Sequence, residues 1–215
     1  TQHPDLNISN TMKILKIAVT GSAGSGKSIV CQRFKAIGLV TLDCDIIARQ
    51  VVKPGEPGFE NIVEMFGQSV IQKDGTLDRK HLRNIIVDDA VLRRKMEAAL
   101  HPQILRQMRS QIENAVYADE KAVAVEVPLL FESGMEKQFD VTIVVEAQDT
   151  DLVKRISNRD NVSTENAQKM LGLQMAQKDK IAMADHVVVN KGTMAELFES
   201  VDNLFGEIKK EFLTT

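Results

Sequence analysis

Short β-branched apolar runs alternate along this chain with longer stretches in which apolar residues recur every three or four positions. Residues 14–20, 39–43, 122–127, 141–146 and 186–190 predict strands. Several are apolar on successive residues, the mark of strands covered on both faces. Helical patterns between them predict right-handed crossovers and a mostly parallel, five-stranded sheet in an α/β three-layer fold.

Residues 44–121, between the second and third runs, are far more than one crossover helix requires. They predict an inserted helical subdomain over 51–120, entered at Pro54, Gly55, Pro57 and Gly58. Phe59, Ile62, Val63 and Phe66 follow at helical spacing up to Gly67, and Asp74-Gly75 marks a turn. Asp78 is a candidate N-cap for a helix carrying Leu82, Ile85 and Ile86. Leu92, Met96, Ala99 and Leu100 mark a further helix. His101-Pro102 is expected to break the pattern before an amphipathic helix with Ile104, Leu105, Met108, Ile112, Ala115 and Val116. Near the C-terminus, Thr193 and Glu196 have capping-box spacing, and Met194, Leu197, Phe198, Val201, Leu204, Phe205 and Ile208 form a stripe expected to pack on the sheet. Residues 1–11 are polar and patternless and are expected to be a disordered extension or an expression remnant.

Composition narrows the function classes. Lys plus Arg number 27 against 30 Asp plus Glu, a formal charge of −3, which argues against a nucleic-acid partner. The two cysteines, Cys31 and Cys44, are too few for a disulfide framework and lack metal-ligand spacing, as suits a reducing, cytoplasmic setting. No apolar run approaches the ~18 residues of a membrane span, so no membrane partner is expected. Composition leaves open a monomer or a small homo-oligomer.

The decisive motif is Gly21-Ser22-Ala23-Gly24-Ser25-Gly26-Lys27-Ser28, a complete GxxxxGK[ST] between a β-branched run and a helical one. Its glycines let successive N–H groups turn toward phosphate oxygens, the helix N-terminus adds partial positive charge, and Lys27 reaches the β- and γ-phosphates. Ser28 offers a hydroxyl to Mg²⁺. ATP and Mg²⁺ are the cofactors this predicts. Asp43 and Asp45, at the end of the second predicted strand, suit either a general base with a magnesium-shell carboxylate or the N-cap of the next helix. The basic segment with Lys154, Arg155 and Arg159 reads either as a mobile lid over 151–183 or as a solvated helix face. His3 and His186 are weak signals, and His101 is a candidate for substrate contact or for a structural role.

A regulatory GTPase is set aside: no DxxG occurs, and Asn190-Lys191-Gly192-Thr193 fails the base-reading motif at its last position. Residues 122–126 imitate the acid-ended strand of larger ATPases, but the chain's size and long helical insertion favour a small-molecule kinase.

Specific segments carry a resemblance. Besides the phosphate loop they are Asp43-Cys44-Asp45-Ile46-Ile47-Ala48-Arg49, Asp74-Gly75-Thr76-Leu77-Asp78-Arg79, His101-Pro102, Val127-Pro128-Leu129-Leu130-Phe131-Glu132, Arg159-Asp160 and Ala184-Asp185-His186-Val187-Val188-Val189-Asn190. In this order they resemble the dephospho-CoA kinase family. The resemblance implies a P-loop kinase core at 12–50, 121–150 and 184–215, a helical acceptor-binding subdomain at 51–120 and a lid at 151–183. It implies transfer of the ATP γ-phosphoryl to the ribose 3′-hydroxyl of dephospho-CoA. By motif, Asp45 matches the base, Asp43 the magnesium shell through water, Arg155 and Arg159 the lid arginines, and Arg79, His101, Leu129 and Leu130 the acceptor side. Two positions depart from the pattern: Cys44 stands where Ala is usual, and Ile29 where a hydroxyl residue is common. Carboxylates beside Cys44 are expected to raise its pKa. A kinase of another nucleoside or nucleotide and a non-catalytic nucleotide-binding regulator are the rival readings.

Overall fold

The structure, a computed structural model, describes residues 14–212. Residues 1–11, expected as an extension, lie outside it. In chain order the elements are β1 (Leu15–Thr20), α1 (Lys27–Ala36), β2 (Val40–Asp43), α2 (Cys44–Gln50), α3 (Pro57–Phe66), α4 (Arg79–Asp88), α5 (Ala90–Tyr117) and β3 (Ala122–Glu126). There follow β4 (Val141–Glu146), α6 (Asp149–Asp160), α7 (Thr164–Gly172), α8 (Gln177–Met183), β5 (His186–Val189) and α9 (Met194–Phe212).

The five strands form one sheet, ordered β2-β3-β1-β4-β5, with every pair parallel. Leu15, Ile17 and Val19 of β1 pack with Phe34 of α1 and Val201, Leu204 and Ile208 of α9 on one face. Ala18, between them, joins Ile47, Ile62, Met108 and Ile112 on the other. Covering both faces is why the central strands need apolar residues in succession. The helices of 51–120 continue that second layer rather than enclosing a separate core.

Most local signals act as expected. Gly67 ends α3, Asp78 caps α4 by accepting from His81 N at 2.9 Å, and Thr193 and Glu196 exchange the two bonds of a capping box. Two expectations need correction. His101-Pro102 does not break the helix, because α5 runs unbroken through Pro102. Packing of α5 against α2, α3 and α4 holds it, and the buried Gln103 side chain donates to Ala99 O at 3.3 Å beside the lost backbone bond. On α9, Met194 opens the helix and is exposed, so the buried stripe consists of Leu197, Val201, Leu204 and Ile208.

The topology positions the site. Register places Asp43 of β2 beside Glu126 of β3, and Glu126 beside Val19 of β1. These carboxyl-terminal strand ends, where the chain departs to opposite sides of β1, form the crevice in which open α/β sheets bind ligands.

Candidate active site

β1 runs straight into the glycine loop. Gly21 has φ +146°, and a Cβ there would lie 2.6 Å from Val145 O, so the loop passes too close to β4 for a side chain. Gly26 caps α1 in a left-handed conformation, and the first turn of α1 holds no acidic residue, which leaves its N–H groups and dipole available to an anion. Lys27 is buried, its Nζ donating to Gly21 O and Ser22 O at 3.1 Å each. Burial lowers the Lys27 pKa, and the Glu126 charge opposes that shift.

The charges of Glu126 and Asp45 act on this cation, and Asp43 acts on both of those carboxylates. Ser28 Oγ donates to Glu126 Oε1 at 3.0 Å. Asp43 Oδ1 accepts from Asp45 N at 2.7 Å and Ile46 N at 3.2 Å, so Asp43 does cap α2. Asp45, on the first turn of α2, is exposed at the cleft rim. Its pKa is nonetheless raised, first by desolvation from the surrounding protein and then by the Asp43 charge, against Arg49, Lys27 and Arg159. Desolvation likewise raises Glu126, while the Ser28 hydrogen bond and Lys27 hold it down. A cavity of 360 Å³ adjoins the group, lined by Ser28, Asp43, Ile46, Gln111 and Glu126 among others.

Among the described residues no group of three His, Cys, Asp or Glu is placed to hold a metal. The Ser28 hydroxyl with Glu126 and Asp43 offers a few hard oxygens instead, a set that suits an ion completed by water and phosphate oxygens, as Mg²⁺ usually is. Cys44 and Cys31 are buried, unpaired thiols. Burial, more than the neighbouring carboxylates, pushes Cys44 up to about 12, and Cys31 is raised for the same reason.

Part of the segment expected as a lid lies against the loop. Arg155 Nη1 donates to Gly24 O at 3.2 Å. Arg159 makes two 2.8 Å bonds to Asp160, and its charge reaches both Lys27 and Asp45. Lys154 is exposed. On the other side of the cleft, Arg79 Nη2 donates to Arg49 O at 3.4 Å, tying α4 to the helix that carries Asp45. His101 sits on α5 with a buried, unpartnered Nε2. Leu129 is 44% exposed, whereas Leu130 is fully buried in the core. Of these two expected acceptor-side leucines, Leu129 thus offers side-chain surface and Leu130 packs in the core.

The dephospho-CoA kinase family model matches residues 15–196. The chain belongs to this family. It is 36% identical to the dephospho-CoA kinase of Bacillus cereus over 178 residues, which cover 83% of this chain and 89% of the relative. The solved dephospho-CoA kinase of Campylobacter jejuni superposes with a TM-score of 0.68 at 26% identity, covering 91% of this chain and 98% of that one. Shikimate kinase from Acinetobacter baumannii shares the fold alone, with a TM-score of 0.55 and 17% identity over 92% of this chain and 96% of that one.

For a dephospho-CoA kinase family member, three further site features escaped the sequence reading. Glu126 ends an apolar strand, a signal assigned above to larger ATPases rather than to the Ser28 hydroxyl it accepts from. Asn190, quoted above as the end of a resemblance segment and the start of a failed GTPase motif but given no role, is buried with Nδ2 on Ser25 O at 2.7 Å, bracing the loop. Lys180 is fully buried and pairs with Glu132 at 2.7 Å. A lysine in a short polar helix reads as solvated, so nothing in the pattern marks it.

Proposed function

We propose that the chain transfers the γ-phosphoryl of ATP to the ribose 3′-hydroxyl of dephospho-CoA, giving coenzyme A and ADP in the last step of coenzyme A synthesis. The observation that carries this reading is the placement of Asp45: a carboxylate with a raised pKa stands across a cleft from the buried lysine of a phosphate loop. A base of that kind takes the proton as an acceptor hydroxyl attacks, and a pKa raised toward neutrality improves the driving force.

In this reading residues 21–28 bind the ATP phosphates, with Lys27 leaving the Gly21 and Ser22 carbonyls for the β- and γ-phosphates. Ser28 would hold Mg²⁺, with Glu126 and Asp43 ordering its water shell, and the ion would supply neutralisation of phosphate charge. Arg155 and Arg159 bring cations to the transferring group from a lid at 151–183. Arg79, His101 and Leu129 lie on the acceptor side, in and beside the helical unit 51–120. The setting is cytoplasmic, which agrees with two unpaired thiols, and the partners are the small molecules ATP and dephospho-CoA. No described helix is long and apolar enough to cross a membrane.

The test is ADP release from ATP and Mg²⁺ with dephospho-CoA, AMP, CMP or a nucleoside supplied in parallel. Stimulation by dephospho-CoA is the expected result. Stimulation by AMP or CMP alone makes it another small-acceptor kinase, and stimulation by none makes it a nucleotide-binding regulator.

A further inference from the structure

The phosphate loop already holds one ligand from its own chain. Ala23 N donates to the side-chain Oε1 of Gln174 at 2.9 Å, across 151 residues of sequence. Gln174 lies between α7 and α8, half-buried, and makes no contribution to either hydrophobic cluster. Its position is nevertheless built. The next residue, Met175, donates its N–H to Glu132 Oε1 at 3.0 Å, and Glu132 is fixed by the buried Lys180. Gln177 then clasps the end of β4 through both amide atoms, accepting from Ala147 N at 3.0 Å and donating to Ala147 O at 2.9 Å.

Chemistry orients the Gln174 amide. A peptide N–H only donates, so the atom facing Ala23 must be the carbonyl oxygen, and the two Nε2 hydrogens are left over. Among the described residues, Nε2 makes no hydrogen bond. Lys27 identifies which end of the loop this is. Its Nζ, the atom that reaches the β- and γ-phosphates, rests on the carbonyls of Gly21 and Ser22, the two residues before Ala23. One residue beyond Ala23, Gly24 O accepts from Arg155.

We infer that Gln174 belongs to the phosphoryl-transfer site: Oε1 anchors it to Ala23, and Nε2 presents a neutral hydrogen-bond donor to the γ-phosphoryl oxygens as charge develops there. The inference rests on the kinase reading above. It adds to the cationic groups a donor that is fixed before the nucleotide arrives and carries no charge to desolvate. Preorganised donors of this kind cost little to reorganise during reaction, which makes them effective on a transition state.

The experiment compares Gln174→Ala and Gln174→Glu with the unaltered chain, reading kcat at saturating ATP and ADP affinity by calorimetry. Gln174→Ala loses anchor and donor; Gln174→Glu keeps an oxygen for Ala23 N–H and loses the donor. The expected result is a fall in kcat of about ten- to a hundredfold in both, the usual range for a hydrogen bond to a charged group. ADP, which lacks the γ-phosphoryl, should bind Gln174→Ala within about twofold of the unaltered chain. Full turnover in Gln174→Glu would make the residue an anchor only and overturn the inference, as would tighter ADP binding by Gln174→Ala, the sign of a side chain that competes with phosphate. Failure of the unaltered chain to bind ADP at all would instead defeat the kinase reading.

Discussion

Ser28 and Glu126, 98 residues apart, meet through a 3.0 Å hydrogen bond that joins the end of the phosphate loop to the end of β3. The donor is the hydroxyl proposed above as a magnesium ligand, and the acceptor is a carboxylate whose pKa is raised by desolvation. For Glu126→Gln we predict a ten- to hundredfold rise in the Mg²⁺ concentration needed for half-maximal turnover, about the effect of removing an outer-shell partner of a metal ligand. A magnesium titration of initial rates checks this, and an unchanged midpoint would remove Glu126 from the metal shell.

Asp45 makes the pH dependence specific. Because its pKa is raised by desolvation and by the Asp43 charge, the acid limb of kcat/KM should lie at higher pH than an unperturbed aspartate would give, with activity lost as falling pH protonates the base. Asp45→Asn should lower turnover by about 10²- to 10⁴-fold, abolish that limb and leave ATP binding nearly intact. Pre-steady-state and steady-state rates between pH 5 and pH 9 are the measurement; an Asp45→Asn enzyme with full turnover contradicts the assignment.

Lys180 and Glu132 give a stability prediction. Lys180 has no exposed side-chain surface, while Glu132 is 21% exposed. Lys180→Met should destabilise the fold by up to about 3 kcal/mol, less than the loss for a fully buried pair because water reaches the orphaned carboxylate. Adding Glu132→Leu should recover part of the loss. Urea denaturation of the single and double variants checks the coupling, and additive effects would show that the pair contributes nothing as a pair.

The thiols should be silent. With Cys44 near 12 and Cys31 also raised by burial, the thiolate fraction in the folded protein is small and access is poor. At pH 8, Ellman's reagent should label neither cysteine until denaturant is added. Rapid labelling of the folded protein would contradict their burial.

The phosphate loop was legible in the sequence because its function lies in eight consecutive residues, and the paired aspartates because a strand end fixes where they emerge. Glu126, Lys180 and Gln174 acquire their meaning only from contacts made across 98, 48 and 151 positions, to Ser28, Glu132 and Ala23 respectively. Leu129 and Leu130 show a finer limit: adjacent leucines in one motif divide into an exposed residue and a buried one, and only the turn of the backbone decides which is which. Pro102 shows the opposite case, in which a strong local rule yields to the packing of a long helix.

The most direct test of the account is the position of the phosphate in the product. With ATP, Mg²⁺ and dephospho-CoA, phosphorus NMR of the purified product should show one new phosphomonoester on the ribose 3′-oxygen, coenzyme A itself. A phosphate at any other position, or ADP released with no phosphorylated acceptor, would contradict it.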